Sequence, residues 1–206
     1  MPEAAVPAPD CTDKKCARDR ILAAANELFY REGIRAIGID TVIEKAGVAK
    51  MSLYRAFPSK DDLIAAFLEM RDKIYWEWWD SVVIRHPDDA RGQLRALFQA
   101  LAKRTSSPTY RGCPFVNTSV EFPDPAHPAR SVIAGHMAEL RRRMDGLVAG
   151  LGVAEPRALA DQLLLLMEGA YSVGNTMGPD GPSATVAAAA ETIIQVHVSS
   201  TLSRPS

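Results

Sequence analysis

The chain has 206 residues, 47% apolar and 24% charged, with a formal net charge of −1. That length and balance suit one or two globular domains with a buried core. Three cysteines exclude a disulfide scaffold, and no run of about 18 uncharged apolar residues marks a membrane span. The first ten residues, MPEAAVPAPD, have no basic region leading into an apolar run, so no secretory leader is expected and the chain is expected in the cytoplasm.

The net charge conceals an asymmetry. Residues 14–60 carry ten Lys/Arg and five Asp/Glu, leaving +5 there and −6 on the remainder. A basic first quarter on an acidic body fits an anionic partner, nucleic acid first; a solvated charged face is the plain alternative.

Residues 1–14 are rich in Ala and Pro and poor in large apolar side chains, so a disordered arm is expected. Cys11 on that arm and Cys16 just after it read as inert surface thiols, with a crosslink on oxidation as the alternative. In RDRILAAANELFYREG, the residues Ile21, Leu22, Ala25, Leu28 and Phe29 fall on one helical face, and Gly33 is a stop signal. Ile39, Val42, Ile43 and Ala46 keep the same spacing up to Gly47. Only GVA separates this segment from a second short one, residues 50–57. Two short helices across a glycine turn of three or four residues are the signature of a helix-turn-helix. Pro58 ends the second of these short helices, Ser59 is placed to cap the next, and Asp61 and Asp62 complement the dipole at its start. That long fourth helix continues through LIAAFLEMRDKIYWEWWDSVVI to His86 and Pro87.

Further helices are predicted over residues 88–103, 113–122, 129–151, 157–176 and 184–202, punctuated by TSSPTYRG, PDPAHP and MGPDGPS. No segment alternates as a strand between turn signals. The predicted fold class is therefore all-α, with a three-helix helix-turn-helix domain over residues 15–62 and a helical bundle over residues 63–206.

The sequence offers little to an enzyme. His86, His127, His136 and His197 are scattered without zinc spacing, and no nucleophile elbow, phosphate loop or dinucleotide fingerprint is present. A Cys113–His136 pair would lack a third group to orient the base. No catalytic activity, cofactor or metal is expected. A purely architectural nucleic-acid binder would not need so bulky a second domain.

The run over residues 20–63 resembles the DNA-binding domain of the TetR/AcrR family of transcriptional regulators. ILAAANELFYREG and IDTVIEKAGVAKMSLYRAFPSKDDL carry the resemblance, through the A-G-V turn, the L-Y pair and the subsequent F-x-S-K-x-x-L. Gly38 stands where the family often has Ser or Thr, and Ala49 and Met51 replace the frequent Ser and Gly. The resemblance implies a ligand-responsive regulator, by family default a repressor, that binds a pseudo-palindromic operator in double-stranded DNA as a homodimer and is released by a small-molecule effector. One unit reads only a few base pairs, which agrees with a symmetric dimer. Once Leu53, Ala56 and Phe57 pack inward, Lys50, Met51, Ser52, Tyr54 and Arg55 are left for the groove. Thr41 and Lys60 are expected at phosphates, and Lys14, Lys15 and Arg18 would add salt-dependent affinity. The family places the dimer interface on the last two helices, here carrying Leu163, Gly169, Ala170, Ala187, Ile193 and Val198.

Residues 63–206 would then bind the effector and dimerise. Candidate effector contacts are Trp79, Phe98, Cys113, Phe115, Asn117, Glu121, His136, Met137, Met167 and Tyr171, with ordinary core packing as the competing reading of each aromatic and Met. Trp76, Trp78 and Trp79 cannot all face one core, so at least one is expected to meet a cavity or a partner. In RGCPFVNTSVEF, Pro114 suits the first position of a helix and puts Cys113 at its N-cap, where free N–H groups and Arg111 favour the thiolate. Gly112, Cys113 and Asn117 also resemble a G-C-x-x-x-N segment of one branch of the family, in which the cysteine senses electrophiles or oxidants. Two readings of Cys113 stand at this point: a reactive or ligand-contacting residue, and a small buried hydrophobe that closes the helix start.

Overall fold

A computed structural model of the chain describes residues 14–202. The arm expected over residues 1–14 therefore lies outside the described residues, apart from the backbone of Lys14, and so do Cys11 and the side chains of Lys14 and Lys15. Among the described residues the chain is helical and without strands: α1 (Lys14–Glu32), α2 (Ile39–Ala46), α3 (Lys50–Ala56), α4 (Lys60–Val83), α5 (Ala90–Thr105), α6 (Pro114–Glu121), α7 (Pro128–Ala149), α8 (Pro156–Met177) and α9 (Val186–Leu202), with a 3-10 turn over Pro182–Thr185. The chain falls into two compact units. One holds residues up to Asp72 together with Pro114–Ile133, and the other holds Lys73–Cys113 and the chain from Ala134.

In the first unit, Ile21, Ala24, Ala25, Leu28 and Phe29 bury one face of α1, which packs on α2 and α3. Phe29 meets Phe67 of α4 edge to face at 5.7 Å. Cys16 overturns the reading of a surface thiol: α1 already begins at Lys14, and Cys16 is only 3% exposed. A thiol is a small hydrophobe and takes a core position when the helix reaches it. Gly47 closes α2 at φ +60°, a left-handed conformation that suits glycine, and the Arg20 guanidinium of α1 donates to its carbonyl at 2.8 Å. The cap expected at Ser59 forms as a reciprocal pair. The Ser59 N–H donates to Asp62 Oδ2 at 3.0 Å, and the Asp62 N–H donates to Ser59 Oγ at 3.1 Å.

In the second unit, Leu94, Leu97, Phe98 and Leu101 of α5 form one core with Leu159, Leu163, Met167 and Tyr171 of α8 and Val186, Ala190 and Ile194 of α9. Full burial of each large apolar side chain contributes about 1.5–3 kcal/mol. Gly174 lets α8 approach α5: a Cβ there would lie 2.7 Å from Cβ of Thr105. α5 starts at Ala90, two residues later than the sequence spacing predicts, because Asp88 adopts φ +58° and leaves the helical region. Asp89 then caps the helix by accepting the Gly92 N–H at 2.8 Å.

Candidate nucleic-acid interface and effector site

Helix α3 is amphipathic over seven residues. Leu53 and the adjoining Phe57 are buried, while Lys50, Met51, Tyr54 and Arg55 are exposed and Ser52 is half-buried. Met51, at 70% exposure, is a large apolar side chain held in solvent beside two cations. Thr41 is exposed on α2 and Arg18 on α1, so Ser52 and Lys60 are the two partly buried members of the described set expected to face DNA. Lys50 Nζ donates to Asp40 Oδ1 at 3.0 Å, and that bond raises the Lys50 pKa above its ordinary value. Both groups are solvated, so the pair orients the ammonium more than it stabilises the fold.

Lys60 differs from the others in its partners. It is partly buried, and its Nζ donates to the carbonyls of Ile34 at 2.9 Å and Ile37 at 2.6 Å. Desolvation lowers its pKa, against the opposing charges of Glu121 and Asp61. The sequence marks this lysine as a phosphate donor, whereas its ammonium is occupied by two backbone carbonyls of the turn between α1 and α2.

Glu121, an expected effector contact, closes the same turn from α6. Its Oε1 accepts the Ile34 N–H at 3.3 Å and its Oε2 accepts the Arg35 N–H at 2.8 Å. Around it, the Arg35 guanidinium lies over Phe122 at 5.3 Å, and Phe122 leans on the ring of His127 at 4.5 Å. His127 Nδ1 accepts the Ala129 N–H at 3.1 Å, which places any ring proton on Nε2, 3.4 Å from Asp61 Oδ1. Phe115 is buried on the same helix and Asn117 is half-buried; both belong to this first unit.

The other expected effector residues belong to the second unit, where a polar and aromatic cluster is built on Tyr75. The Tyr171 hydroxyl donates to the Tyr75 hydroxyl at 3.4 Å, the Tyr75 hydroxyl donates to Met167 Sδ at 3.8 Å, and the Tyr110 hydroxyl donates to the Tyr171 carbonyl at 3.2 Å. Burial pushes both Tyr75 and Tyr171 well above the usual phenol pKa, so both are neutral donors. His136 is buried against the rings of Tyr75 and Trp76, at 4.8 and 5.2 Å. Trp79, Phe98 and Met167 are fully buried, Cys113 is a half-buried thiol outside any disulfide, and Met137 is on the solvent side of α7.

The three tryptophans divide within this unit. Trp79 enters the core, while Trp76 and Trp78 lie partly buried beneath guanidinium groups, Arg143 at 4.4 Å and Arg104 at 5.4 Å from the ring centroids. Cations cover the rings that the core cannot take. Arg104 and Tyr110 escaped the sequence reading. Arg104 had a signal, since Leu97, Leu101 and position 104 continue one helical face. Glu168 also sits here on α8, its carboxyl raised above the ordinary range by burial. Among the described residues no cluster of metal ligands occurs, and no helix is long and apolar enough to cross a membrane.

Comparison with known proteins agrees with this geometry at both ends. A family profile described as bacterial regulatory proteins, tetR family, matches residues 21–67, and a second, tetracyclin repressor-like C-terminal domain, matches residues 90–190. The structure is similar to that of SCO4454, a TetR-family transcriptional regulator from Streptomyces coelicolor, at 34% identity and TM-score 0.83 over 88% of this chain and 96% of that one. It is similar to the transcriptional regulator sav143 of Streptomyces avermitilis at 28% identity and TM-score 0.77, over 88% and 97% of the two chains. The HTH-type transcriptional regulator YjdC of Escherichia coli is 25% identical over 155 residues, 75% of this chain and 81% of that protein.

Proposed function

Because the chain belongs to the TetR family of DNA-binding transcriptional regulators, we propose that it is a homodimeric repressor, working in the cytoplasm, that holds a pseudo-palindromic operator through α3 and leaves it when a small molecule binds the second unit. The observation that carries this reading is the exposed face of α3, where Lys50, Met51, Ser52, Tyr54 and Arg55 stand on a helix whose other face is buried. Lys50 and Arg55 suit guanine edges, Met51 suits a thymine methyl, and Tyr54 and Thr41 suit phosphates.

The dimer reading is supported by α8 and α9. Leu165 is 74% exposed, Met177 63% and Val196 58%, and a Cβ at Gly169 would meet nothing within 4 Å. An open glycine beside exposed large apolar side chains suits a second helix pair at close range. Trp79, Phe98, Cys113, His136, Met167 and Tyr171 supply apolar walls and a few polar handles for an effector. Purified protein is offered a random duplex library, and the enriched sequence is compared with the DNA flanking its own gene. An enriched inverted repeat found there, released by a metabolite pool, is the expected result; no enrichment contradicts the reading.

A second reading is favoured by Cys113 itself, a half-buried thiol outside any disulfide, directly before Pro114 at the start of α6. In it the effector is an electrophile or oxidant captured at that sulfur. Wild-type protein then loses DNA under electrophile challenge and the Cys113→Ser variant keeps it.

A further inference from the structure

We propose that Glu121 is a positioning residue for DNA recognition: reaching from α6, its carboxylate fixes the turn between α1 and α2 and so sets how the α2–α3 pair meets the operator. The inference rests on reading α3 as the DNA-contacting helix.

The turn after Gly33, at φ +90°, supplies few bonds of its own; the Ile37 N–H reaches the Ile34 carbonyl at 3.3 Å. The N–H groups of Ile34 and Arg35 lie outside any helix and need partners from elsewhere. One carboxylate takes both, at 3.3 and 2.8 Å, and charge-assisted bonds of this kind are about twice as strong as neutral ones. The Lys60 ammonium takes the Ile34 carbonyl on the other side, at 2.9 Å. Ile34 is thus gripped through its N–H by an anion and through its C=O by a cation, and its side chain is buried.

Beyond the turn, the α2–α3 pair packs on α1 through Val42, Ala46 and Leu53, with Lys45 Nζ 2.8 Å from Glu27 Oε1. Gly38 opens α2 without a side-chain cap, and Ala49 opens α3 without one. α2 and α3 are joined by only three residues, pinned at Gly47 by Arg20. The direction in which α2 leaves the turn therefore carries Thr41, Lys50 and the reading face with it. A side chain placed only to stabilise the fold would have no such consequence, and the two roles separate by experiment.

The full chain is tested as wild type, Glu121→Ala and Glu121→Gln, each corrected for its active fraction. The probes are the duplex that wild type enriches from a random library and an unrelated duplex of equal length. Glu121→Ala is expected to bind the enriched duplex about tenfold more weakly, with unchanged affinity for the unrelated one and with displaced amide resonances of Ile34 and Arg35. Glu121→Gln keeps one acceptor oxygen and is expected to recover part of the loss. Wild-type affinity for the enriched duplex, or an equal loss on both duplexes, overturns the positioning role. Should Glu121→Ala fail to fold, Glu121→Gln carries the test: a wild-type ratio between the two duplexes with displaced amide resonances overturns it too. If wild type enriches no duplex, the DNA-contact reading of α3 fails first, and Glu121 remains a cap of the turn.

Discussion

The Arg143 guanidinium lies over the ring of Trp76, 4.4 Å from its centroid, and Glu139 holds it there through a 2.6 Å bond one helical turn away. Hydrogen bonds from Arg142 and Arg143 lower the Glu139 carboxyl to about 2 from an ordinary 4.5. A carboxylate that is more acidic in the folded chain contributes stability above its unfolded pKa and loses it as the pH falls through the folded value. The melting temperature is expected to fall as pH drops from about 4.5 toward 2, less steeply in Glu139→Gln. Asp161 and Glu191 are lowered in the same way by Arg141 and Arg95, so part of the slope persists in that variant. Added salt flattens both curves because these pairs are near the surface. Superimposable melting profiles for the two proteins across this range contradict the assignment.

On α3, Arg55→Ala and Lys50→Ala are each expected to weaken operator binding by about 1–3 kcal/mol if they touch bases, and otherwise to reduce the salt slope by about one. Thermal stability should hardly change, since both side chains are exposed. Titrations at several salt concentrations separate the two outcomes. Unchanged affinity and slope in both variants would remove these residues from the interface.

Leu165→Glu places a charge on an exposed side chain of α8 and should leave the folded monomer within about 0.5 kcal/mol of wild type. Sedimentation velocity is expected to show a dimer for wild type and a monomer for the variant, with operator affinity lost accordingly. A variant that still sediments as a dimer moves the seam away from this face.

Gly174→Ala tests the packing of α8 on α5. The added methyl meets Cβ of Thr105 at 2.7 Å and the Thr105 carbonyl oxygen at 3.1 Å, so one helix must shift. Overpacking of this kind costs about 1–3 kcal/mol, read as a lower denaturant midpoint. An unchanged midpoint would show that the two helices slide apart freely.

The helix-turn-helix was legible because its signals are local. Gly33, Gly47 and Pro58 punctuate it, and Ile21, Leu28, Val42 and Leu53 mark the buried faces at helical spacing. Cys16 was misread because its burial depends on where α1 begins, and the apolar stripe becomes visible only at Ile21. The roles of Lys60 and Glu121 were hidden for another reason: their partners are backbone atoms up to 87 positions away, which no spacing rule records. Spacing showed that the three tryptophans could not share one core, but not that Arg143 and Arg104 cover Trp76 and Trp78, because periodicity sees core and solvent and not a guanidinium over a ring. Arg104 lay within reach of a stricter count along α5.

The bare starts of α2 and α3 have a consequence for engineering. Ser at an N-cap is worth about 1 kcal/mol over Ala and a few tenths over Gly. Gly38 and Ala49 already hold the extended backbone that a capping serine needs, at φ −79° and −71°. Heat tolerance can therefore be raised at two helix starts without touching either hydrophobic core. Hydrogen exchange at these two helix starts should quicken early on warming, and slow in Gly38→Ser and Ala49→Ser.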